Sequence, residues 1–367
     1  MTRPHRWALL AVAVVTAFLL AGSALLWTCT AEPAPAPPQH TVAASGTSLT
    51  LDGKPWWPTG FNAYQLATDW TINVGCGAQV DLDAYFSALP PRSLTRFALF
   101  APFTHRKQDG TVEYASVDAV FATAARHRQL VLPVLAAGDG ACDGEQFRTR
   151  DWYADGWRSQ EDAQGLTYLD WVRIAVERWR DEPALAGWTP IGEPETSVCG
   201  VGDCRDWRTR LCPAGGAQIL RTFFDDAGGL VKSLDPHHLV FSGTAGGDQC
   251  GTAGSGMETV GASPGVDVLE YHFYKLDGGT PPTDSPTARI GIAQRLRKPL
   301  VLTEIGWDAG RCRSAPDRAA RIRSVIGDLR RAGVAGALAW AYVPDPRPHL
   351  CTYDIGPHDP LWPRLVE

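Results

Sequence analysis

The stretch PLVLTEIGW (299–307) indicates how this chain folds. It begins with a proline and a run of aliphatic residues, and it places Glu304 directly before an isoleucine and a glycine. A continuous apolar run of this kind is typical of a parallel strand that is covered on both faces. Because a carboxylate at the end of such a strand is costly to bury, the stretch predicts a strand that ends in a functional residue.

Seven further stretches have the same apolar character: PTGFNA (58–63), LTRFALF (94–100), LVLPVLAAG (130–138), LAGWTPIGE (185–193), LVFSGTAGG (239–247), VDVLEYHFY (266–274) and GALAWAYV (336–343). Amphipathic stretches typical of helices lie between most of them, at 81–89, 115–128, 168–180, 217–234, 287–298 and 316–333. The interval between the fifth and sixth strands shows no convincing helix. Eight strands that alternate with helices over about 300 residues predict an α/β fold, a single-domain (β/α)8 TIM barrel.

The segment before the first strand adds a small element to this barrel. The stretch SLTLDGKPW (48–56) has an Asp-Gly turn and predicts a short N-terminal β-hairpin across the bottom of the barrel. The alternative architecture is an open doubly wound sheet, which favours a glycine-rich dinucleotide turn after an early strand. No GxGxxG or GxxxxGK[ST] motif occurs at such a place, so the barrel is the favoured fold.

The N-terminal residues do not have the character of a folded domain. Residues 1–30 combine a basic start with an apolar run at 7–27, which predicts a signal peptide or, if it is not cleaved, an N-terminal membrane anchor. Residues 31–45 are a Pro/Ala-rich linker. We therefore expect an exported protein, secreted or tethered to the outer face of the cytoplasmic membrane, with its folded domain at 46–367.

The cysteine content agrees with export. Leaving out Cys29 in the leader, the chain holds Cys76, Cys142, Cys199, Cys204, Cys212, Cys250, Cys312 and Cys351. An even number in an exported chain predicts up to four disulfides that brace the loops, but their pairing does not follow from the sequence. A zinc site at Cys199, Cys204 and Cys212 is less favoured, because the spacings are irregular.

Composition and charge restrict the class of partner. The chain is 44% hydrophobic and 20% charged, which is typical of a globular protein and excludes a disordered or collagen-like one. With a formal net charge of −6, the chain lacks the excess of basic residues that nucleic-acid binding requires. We therefore expect no nucleic-acid partner, and we expect the protein to be a monomer.

Polar and aromatic residues lie on six of the predicted strands, most of them at the C-terminal ends, where (β/α)8 barrels hold their active sites, while the second strand contains Arg96 and the eighth carries Trp340. In chain order they are Asn62, Arg96, Glu193, His272, Tyr274, Glu304 and Trp340. A pair of carboxylates on one rim is what glycoside hydrolysis requires. One of the two must hold a proton near neutral pH, and the other must stay ionised.

These residues resemble, in order and in strand position, the retaining (β/α)8 glycosidase clan, most closely the cellulase and mannanase group of glycoside hydrolase family 5. The acid/base motif of that group, Asn-Glu-Pro after the fourth strand, is matched in part by Glu193-Pro194. Its nucleophile motif on the seventh strand is matched by TEIG at 303–306. The resemblance covers residues 48–345 and implies that residues 46–367 are a catalytic domain.

The resemblance also implies a role for each strand-end residue. Glu304 would be the nucleophile and Glu193 the acid/base. The residues that support them or bind substrate would be Asn62 in the first strand's Gly-x-Asn, Arg96 on the second strand, His272 and Tyr274 in the sixth strand's His-x-Tyr, and Trp340 as a stacking floor. Such chemistry needs no metal, nucleotide or flavin, so we expect no cofactor.

One position departs from the family pattern. Gly192 stands directly before Glu193, where the family has an asparagine that contacts the sugar 2-hydroxyl. Contacts to that hydroxyl strengthen in the transition state, so a glycine there is expected to change the rate or the substrate.

The function that we infer from the sequence is hydrolysis of a β-linked polysaccharide or oligosaccharide, β-1,4-mannan or β-1,4-glucan in type, by double displacement with two glutamates. Two alternatives belong to other classes. One is a carbohydrate-binding barrel that has lost turnover through Gly192. The other is a cell-surface structural protein held by residues 7–27.

Overall fold

The predicted strand stretches form the wall of a barrel in the computed structural model, which describes residues 40–107, 109–202 and 204–362. The strands are, in chain order, β1 (Val42–Ser45), β2 (Ser48–Leu51), β3 (Lys54–Trp56), β4 (Thr59–Asn62), β5 (Leu94–Ala98), β6 (His105–Arg106), β7 (Val112–Glu113), β8 (Leu130–Val134), β9 (Gly187–Trp188), β10 (Val198–Cys199), β11 (Arg210–Leu211), β12 (Leu239–Val240), β13 (Leu269–Phe273), β14 (Leu300–Ile305), β15 (Ala309–Gly310), β16 (Gly336–Ala339) and β17 (Cys351–Thr352).

The helices lie between the barrel strands. They are α1 (Leu82–Ser87), α2 (Ala115–Arg126), α3 (Arg150–Ala154), α4 (Tyr168–Trp179), α5 (Gly216–Phe223), α6 (Gly229–Leu234), α7 (Gly256–Gly261), α8 (Pro286–Leu296) and α9 (Ala315–Ala332). A π-turn at Phe224–Gly228 separates α5 from α6, so the stretch predicted as one helix at 217–234 is interrupted. The short helix α7 occupies the interval in which the sequence shows no convincing helix.

The barrel closes through parallel strand pairs. Six strands form one parallel sheet in the order β13, β14, β16, β4, β5 and β8. The parallel pair β9 and β12 fills the remaining gap: a bridge joins Val131 to Leu185 on one side, and another joins Phe241 to Val268 on the other. The ring follows the chain order of the eight strands, which confirms the (β/α)8 barrel.

Strands β9 and β12 are much shorter than the apolar stretches that predict them. Beyond β9 the parallel pairing continues only as single bridges, Val134 with Thr189 and Ala137 with Gly192. Beyond β12, Gly243 has a φ of +65°, and a Cβ there would lie 1.7 Å from the carbonyl oxygen of Ile191. Only glycine permits so close an approach between the segments that follow the two strands.

A three-stranded antiparallel sheet covers the bottom of the barrel. Strands β2 and β3 are the predicted hairpin, and β1 pairs with β2 from Val42 opposite Leu51. Val42, Leu49 and Leu51 are buried against residues of the barrel strands, including Leu94 and Leu338. Strand β1 therefore lies inside the segment that the sequence assigns to the linker at 31–45, because Val42 is buried at the barrel bottom.

Sequence signals at the helix ends agree with the structure. The Ser314 side chain accepts a hydrogen bond from the backbone N–H of Asp317 at the start of α9, and Gly333 ends that helix with a φ of +108°. The Asp81 side chain caps α1 in the same way. Such caps satisfy backbone groups that have no partner within the helix.

Four disulfides brace the loops, as predicted. They join Cys76 to Cys142, Cys199 to Cys204, Cys212 to Cys250 and Cys312 to Cys351. The last of them ties the segment after β14 to the segment after β16, and strands β15 and β17 pair beside it. Both segments lie near the C-terminal rim of the barrel.

The predicted leader and anchor at 1–30 lie outside the described residues. Within residues 40–362 of the described structure, no helix has the length and apolar character that crossing a membrane requires.

The disulfides give a direct test of the cysteine assignment. Alkylation of the denatured, unreduced protein should label fewer than one of the eight paired cysteines per chain on average, and alkylation after reduction should label all eight. Peptide mass spectrometry counts the labels at each position. Six or more free thiols among the eight would contradict the pairing.

Candidate active site

Glu304 lies near the end of β14 and is buried. Its Oε1 accepts a hydrogen bond from Nη1 of Arg96 at 2.8 Å, and its Oε2 accepts one from the hydroxyl of Tyr274. Arg96 is on β5, and Tyr274 directly follows β13. Both oxygens of the carboxylate thus have a donor, and the side chain is held in one position.

Glu193 lies beyond the end of β9, directly after the bridge between Gly192 and Ala137. Its backbone has a φ of +51°, and its N–H donates to the carbonyl oxygen of Gly243 at 2.8 Å. The side chain is 41% exposed, and its Oε1 lies 2.6 Å from Nδ1 of His272. Glu193 is therefore held by one side-chain partner and remains accessible from the cavity.

The two carboxylates lie close together. One oxygen of Glu193 and one of Glu304 are within 4.8 Å of each other, and Nδ1 of His272 lies 3.3 Å from Oε2 of Glu304. Two carboxylates and an imidazole are also a donor set that a divalent cation can use. In this structure Arg96 donates to one oxygen of Glu304 and Tyr274 donates to the other, so each oxygen of that carboxylate already has a protein partner.

A third carboxylate, Glu270, lies beneath this pair in the barrel interior and is fully buried. Its Oε2 is 3.5 Å from Nε of Arg96 and 3.8 Å from Nε2 of His272. The hydroxyls of Thr189 and Thr303 donate to it at 2.8 and 2.6 Å. Glu270 thus supplies the counter-charge that a buried guanidinium and a buried imidazole need.

The sequence holds a signal for the direction in which Glu270 points. Glu270 precedes His272 by two residues and Tyr274 by four, and alternate residues of a strand share one face. Since His272 and Tyr274 point to the barrel rim, the same alternation places Glu270 on the inner side of β13.

Asn62 serves Arg96. Its side-chain oxygen accepts from Nη1 of Arg96 at 3.0 Å, and its Nδ2 donates to the backbone carbonyl of Thr303 at 2.6 Å. It is almost fully buried, at 1% exposure. These contacts orient the guanidinium that holds Glu304, so the structure assigns Asn62 a supporting position.

Burial and charge act differently on the two carboxylates. Burial raises the pKa of Glu304 above its ordinary value, and the charges of His272 and Arg96 oppose this without cancelling it. Burial also raises the pKa of Glu193, but the hydrogen bond and charge of His272, with the charges of Arg96 and Arg210, outweigh it and lower that pKa. The pKa of Glu193 therefore lies below that of Glu304, so Glu193 loses its proton more readily.

His272 carries a proton at neutral pH. Burial lowers its pKa, but the charge of Glu304, the hydrogen bond to Glu193 and the nearby carboxylate of Glu270 raise it to about 9. Because its Nδ1 lies 2.6 Å from Glu193, the two groups share one proton and titrate as a pair.

The site opens into a cavity of about 480 Å³. Trp340 lines it and stacks on Tyr64, with ring centroids 5.7 Å apart and an angle of 15° between the planes. Tyr353 lines the same cavity and packs edge-on against Tyr274 at 5.1 Å. Residues 64, 340 and 353 thus contribute aromatic surface to the cavity, and flat aromatic faces of this kind suit the apolar faces of sugar rings.

Tyr353 is a site residue that the sequence reasoning missed. It lies beyond β17, in the loop that the disulfide between Cys312 and Cys351 ties to the segment after β14. A lone tyrosine in an irregular loop gives no periodic signal, and the pairing of its neighbouring cysteine is not readable from the sequence.

A second, smaller cavity of about 100 Å³ lies on the other side of Glu193. Gln249, Lys275 and Thr280 line it. The side-chain oxygens of Gln249 and Thr280 are buried there without a hydrogen-bond partner among the described residues. Glu193 therefore borders both cavities.

The structure brings all the predicted site residues to one place. Six line the large cavity: Asn62, Arg96, Glu193, Tyr274, Glu304 and Trp340. The seventh, His272, lines the small cavity and contacts both glutamates. Their contacts are those of one connected network rather than of separate ion pairs.

Comparison with known proteins agrees with this geometry. No family model matches the chain. It is 25% identical to the probable mannan endo-1,4-beta-mannosidase C of Aspergillus terreus over 314 residues, which is 74% of each chain. This similarity confirms the resemblance to the cellulase and mannanase group that the motifs indicate.

Solved structures share the fold. The endo-1,4-beta-mannanase of Rhizomucor miehei matches with a TM-score of 0.62 and 18% identity, over 89% of this chain and 97% of that one. A variant of the glycoside hydrolase family 5 mannosidase of the same fungus, in complex with mannosyl-fructose, matches with a TM-score of 0.60 and 14% identity, over 89% and 95%.

The shared proton predicts a particular pH dependence of activity. A group whose pKa is raised keeps its proton until the pH passes that value, so the proton on the pair of His272 and Glu193 should be lost near pH 9. His272→Gln removes the imidazole and leaves Glu193 to hold the proton alone. The upper limb of the profile of kcat/KM against pH should then move down by about one unit or more.

The control for this profile is His127→Gln, which removes a histidine paired with Asp83 outside the site. Its profile should match that of the unsubstituted protein. An unchanged upper limb in His272→Gln would contradict the shared proton.

Proposed function

We propose that this chain is a retaining glycosidase that hydrolyses β-linked glycans by double displacement. The observation that carries the proposal is the separation of the carboxylates: an oxygen of Glu193 and an oxygen of Glu304 lie within 4.8 Å of each other. Retaining enzymes keep their two carboxyl groups about 5–5.5 Å apart, whereas inverting enzymes leave room for a water at about 6.5–9.5 Å.

Glu304 is proposed as the nucleophile. Its Oε attacks the anomeric carbon, the bond from that carbon to the leaving oxygen breaks, and a covalent glycosyl ester forms. Arg96 and Tyr274 donate to its oxygens and so hold it in position, and the guanidinium favours the ionised form that attacks.

Glu193 is proposed as the acid and base. In the first step its proton passes to the leaving oxygen. In the second step its carboxylate takes a proton from water, the water oxygen attacks the anomeric carbon, and Glu304 leaves as a carboxylate. Its exposure and its position between two cavities support this role, because the group must reach the leaving oxygen on one side and water afterwards.

Before substrate binds, the proton lies on His272. The acid step needs that proton on Glu193, and substrate binding favours its transfer. A sugar in the large cavity displaces water from Glu193, which now is 41% exposed. Desolvation disfavours the ionised carboxylate and raises its pKa. The proton can then move along the 2.6 Å hydrogen bond from His272 to Glu193.

The substrate class that we propose is β-1,4-mannan or β-1,4-glucan. The aromatic surface of Tyr64, Trp340 and Tyr353 supports a sugar ring, and the sequence relative named above is a probable mannan endo-1,4-beta-mannosidase. Four disulfides support export, because they persist in oxidising surroundings. We propose that the enzyme acts outside the cytoplasm on polysaccharide, whether released or tethered at 7–27.

A carbohydrate-binding barrel without turnover is the second candidate. Gly192 is the observation that favours it, because the residue before the acid/base provides no side chain to the reacting sugar. The release of reducing sugar from a panel of mannans and glucans decides between the two. Binding without release on every glycan would favour the second.

Substitution of the two glutamates tests their roles. Glu304→Gln should abolish turnover, by roughly a million-fold, because an amide does not form the ester. Glu193→Ala should lose activity on natural glycans by about a hundred-fold or more but retain it on dinitrophenyl glycosides, whose leaving group needs no proton. Azide should then restore rate and give the β-glycosyl azide.

The control for both variants is Glu113→Gln, at a carboxylate paired with Lys107 on the surface. It should hydrolyse every substrate at the normal rate. Circular dichroism should show all three variants folded. Normal hydrolysis by Glu304→Gln would contradict the assignment of the nucleophile, and an α-configured first product would contradict double displacement.

A further inference from the structure

One donor in the site has no role in the chemistry proposed above. The hydrogen bonds of Arg96 to Asn62 and to Glu304 both use Nη1, and its Nε faces Glu270 at 3.5 Å. Nη2 has no acceptor among the residues that the structure describes. The side chain is only 5% exposed, so this N–H group is a charged donor held at the wall of the cavity.

Gly192 leaves that donor open to the cavity. A Cβ at this position would lie 3.3 Å from Nη2 of Arg96, 3.4 Å from Cγ1 of Val134 and 3.8 Å from the carbonyl oxygen of Ala136. Any side chain at 192 would therefore cover Nη2. We call the space bounded by Gly192, Arg96, Val134 and Ala136 the Gly192 recess.

The recess combines one charged donor with apolar walls. Val134 and the small residues Ala98, Ala136 and Ala137 line this part of the large cavity. Nη2 faces the cavity, so a ligand that brings an acceptor there forms a charge-assisted hydrogen bond with the guanidinium. The apolar walls favour a group whose other end is a methyl or methylene.

The charge around the recess favours a neutral acceptor over an anion. Glu193, Glu270 and Glu304 surround Arg96, and their charges raise its pKa. A further carboxylate, such as that of a uronic acid, would be repelled by three neighbours of the same sign. A carbonyl oxygen with an attached methyl group, which is an acetyl group, fits both the donor and the walls.

The chemistry of the reaction places this group on the sugar. The anomeric carbon must lie between Glu304 and Glu193. Its ring neighbours are the ring oxygen and carbon 2, and only carbon 2 bears a substituent. Arg96 contacts Glu304 directly, so a substituent next to the reacting carbon is the one that reaches Nη2.

We propose that the reacting subsite accepts β-glycosides whose sugar carries an acetyl group at carbon 2, as an ester or an amide. Nη2 of Arg96 donates to the acetyl carbonyl oxygen, and the methyl group packs against Val134 and Ala136. This proposal rests on the proposed function and specifies its substrate.

Two matched substrate pairs test the proposal and separate ester from amide. The first is a β-1,4-mannan acetylated at carbon 2 and the same polymer after alkaline deacetylation. The second is 4-nitrophenyl 2-acetamido-2-deoxy-β-glucoside and 4-nitrophenyl β-glucoside. In one pair at least, kcat/KM should favour the acetylated member by about ten-fold, the effect of one charge-assisted hydrogen bond.

Gly192→Asn should reverse that preference, because its side chain covers Nη2 and fills the recess. It should lose about ten-fold or more on the acetylated member and keep or gain activity on the plain one. The backbone at Gly192 lies outside the left-handed region, so it does not strain an asparagine, whose Cβ requires the Arg96 guanidinium to shift by only a few tenths of an ångström. The control is Gly229→Asn, at the first residue of α6, where the backbone is helical and the Cβ position has open space around it; it should keep the original preference.

Equal rates within both pairs, or an equal loss on both members in Gly192→Asn, would overturn the proposal. If no glycan is hydrolysed, the proposed function fails, and the role of the recess is then tested by binding instead of by rate. Titration calorimetry with methyl 2-acetamido-2-deoxy-β-glucoside and methyl β-glucoside then applies. Tighter binding of the acetamido sugar by the original chain but not by Gly192→Asn supports the recess, and equal affinities reject it.

Discussion

The ion pair between Arg96 and Glu304 is the interaction on which the rest of the site depends. Two charges this deeply buried are stable only if they are paired and hydrogen-bonded. Asn62 orients the guanidinium, and Glu270 supplies its second counter-charge. Removing Arg96 would leave two buried carboxylates without their shared counter-charge, and removing Asn62 would free the guanidinium to turn away from Glu304. The barrel interior and the reactive carboxylate are therefore parts of one electrostatic unit.

Much of this arrangement could be predicted from the sequence, because it follows from strand periodicity. Eight apolar stretches predict the barrel, and residues on six of them, from Asn62 to Trp340, predict the site. What could not be predicted depends on contacts that are distant in the sequence. The short lengths of β9 and β12 follow from the close approach at Gly243, and Tyr353 reaches the cavity through a loop whose disulfide partner the sequence does not identify.

Glu193 contrasts with Glu304 in how firmly it is held. Glu304 has a donor on each oxygen, whereas Glu193 has a left-handed backbone, one hydrogen bond to His272 and access to two cavities. A nucleophile needs a fixed position, and an acid/base needs to exchange protons with a leaving group and with water. The absence of a side chain at Gly192 widens the cavity on the side of Arg96 and so couples the catalytic network to the choice of substrate.

The most direct test of this account is the identity of the residue that becomes glycosylated. The protein is incubated with 2-deoxy-2-fluoro-β-mannosyl fluoride and with its glucosyl counterpart, which slow the second step and let the ester accumulate. Intact mass should rise by one fluoroglycosyl group, and peptide mapping should place that group on Glu304. An adduct on Glu193 or Glu270 would contradict the central claim, as would inactivation at a residue outside the network of Arg96.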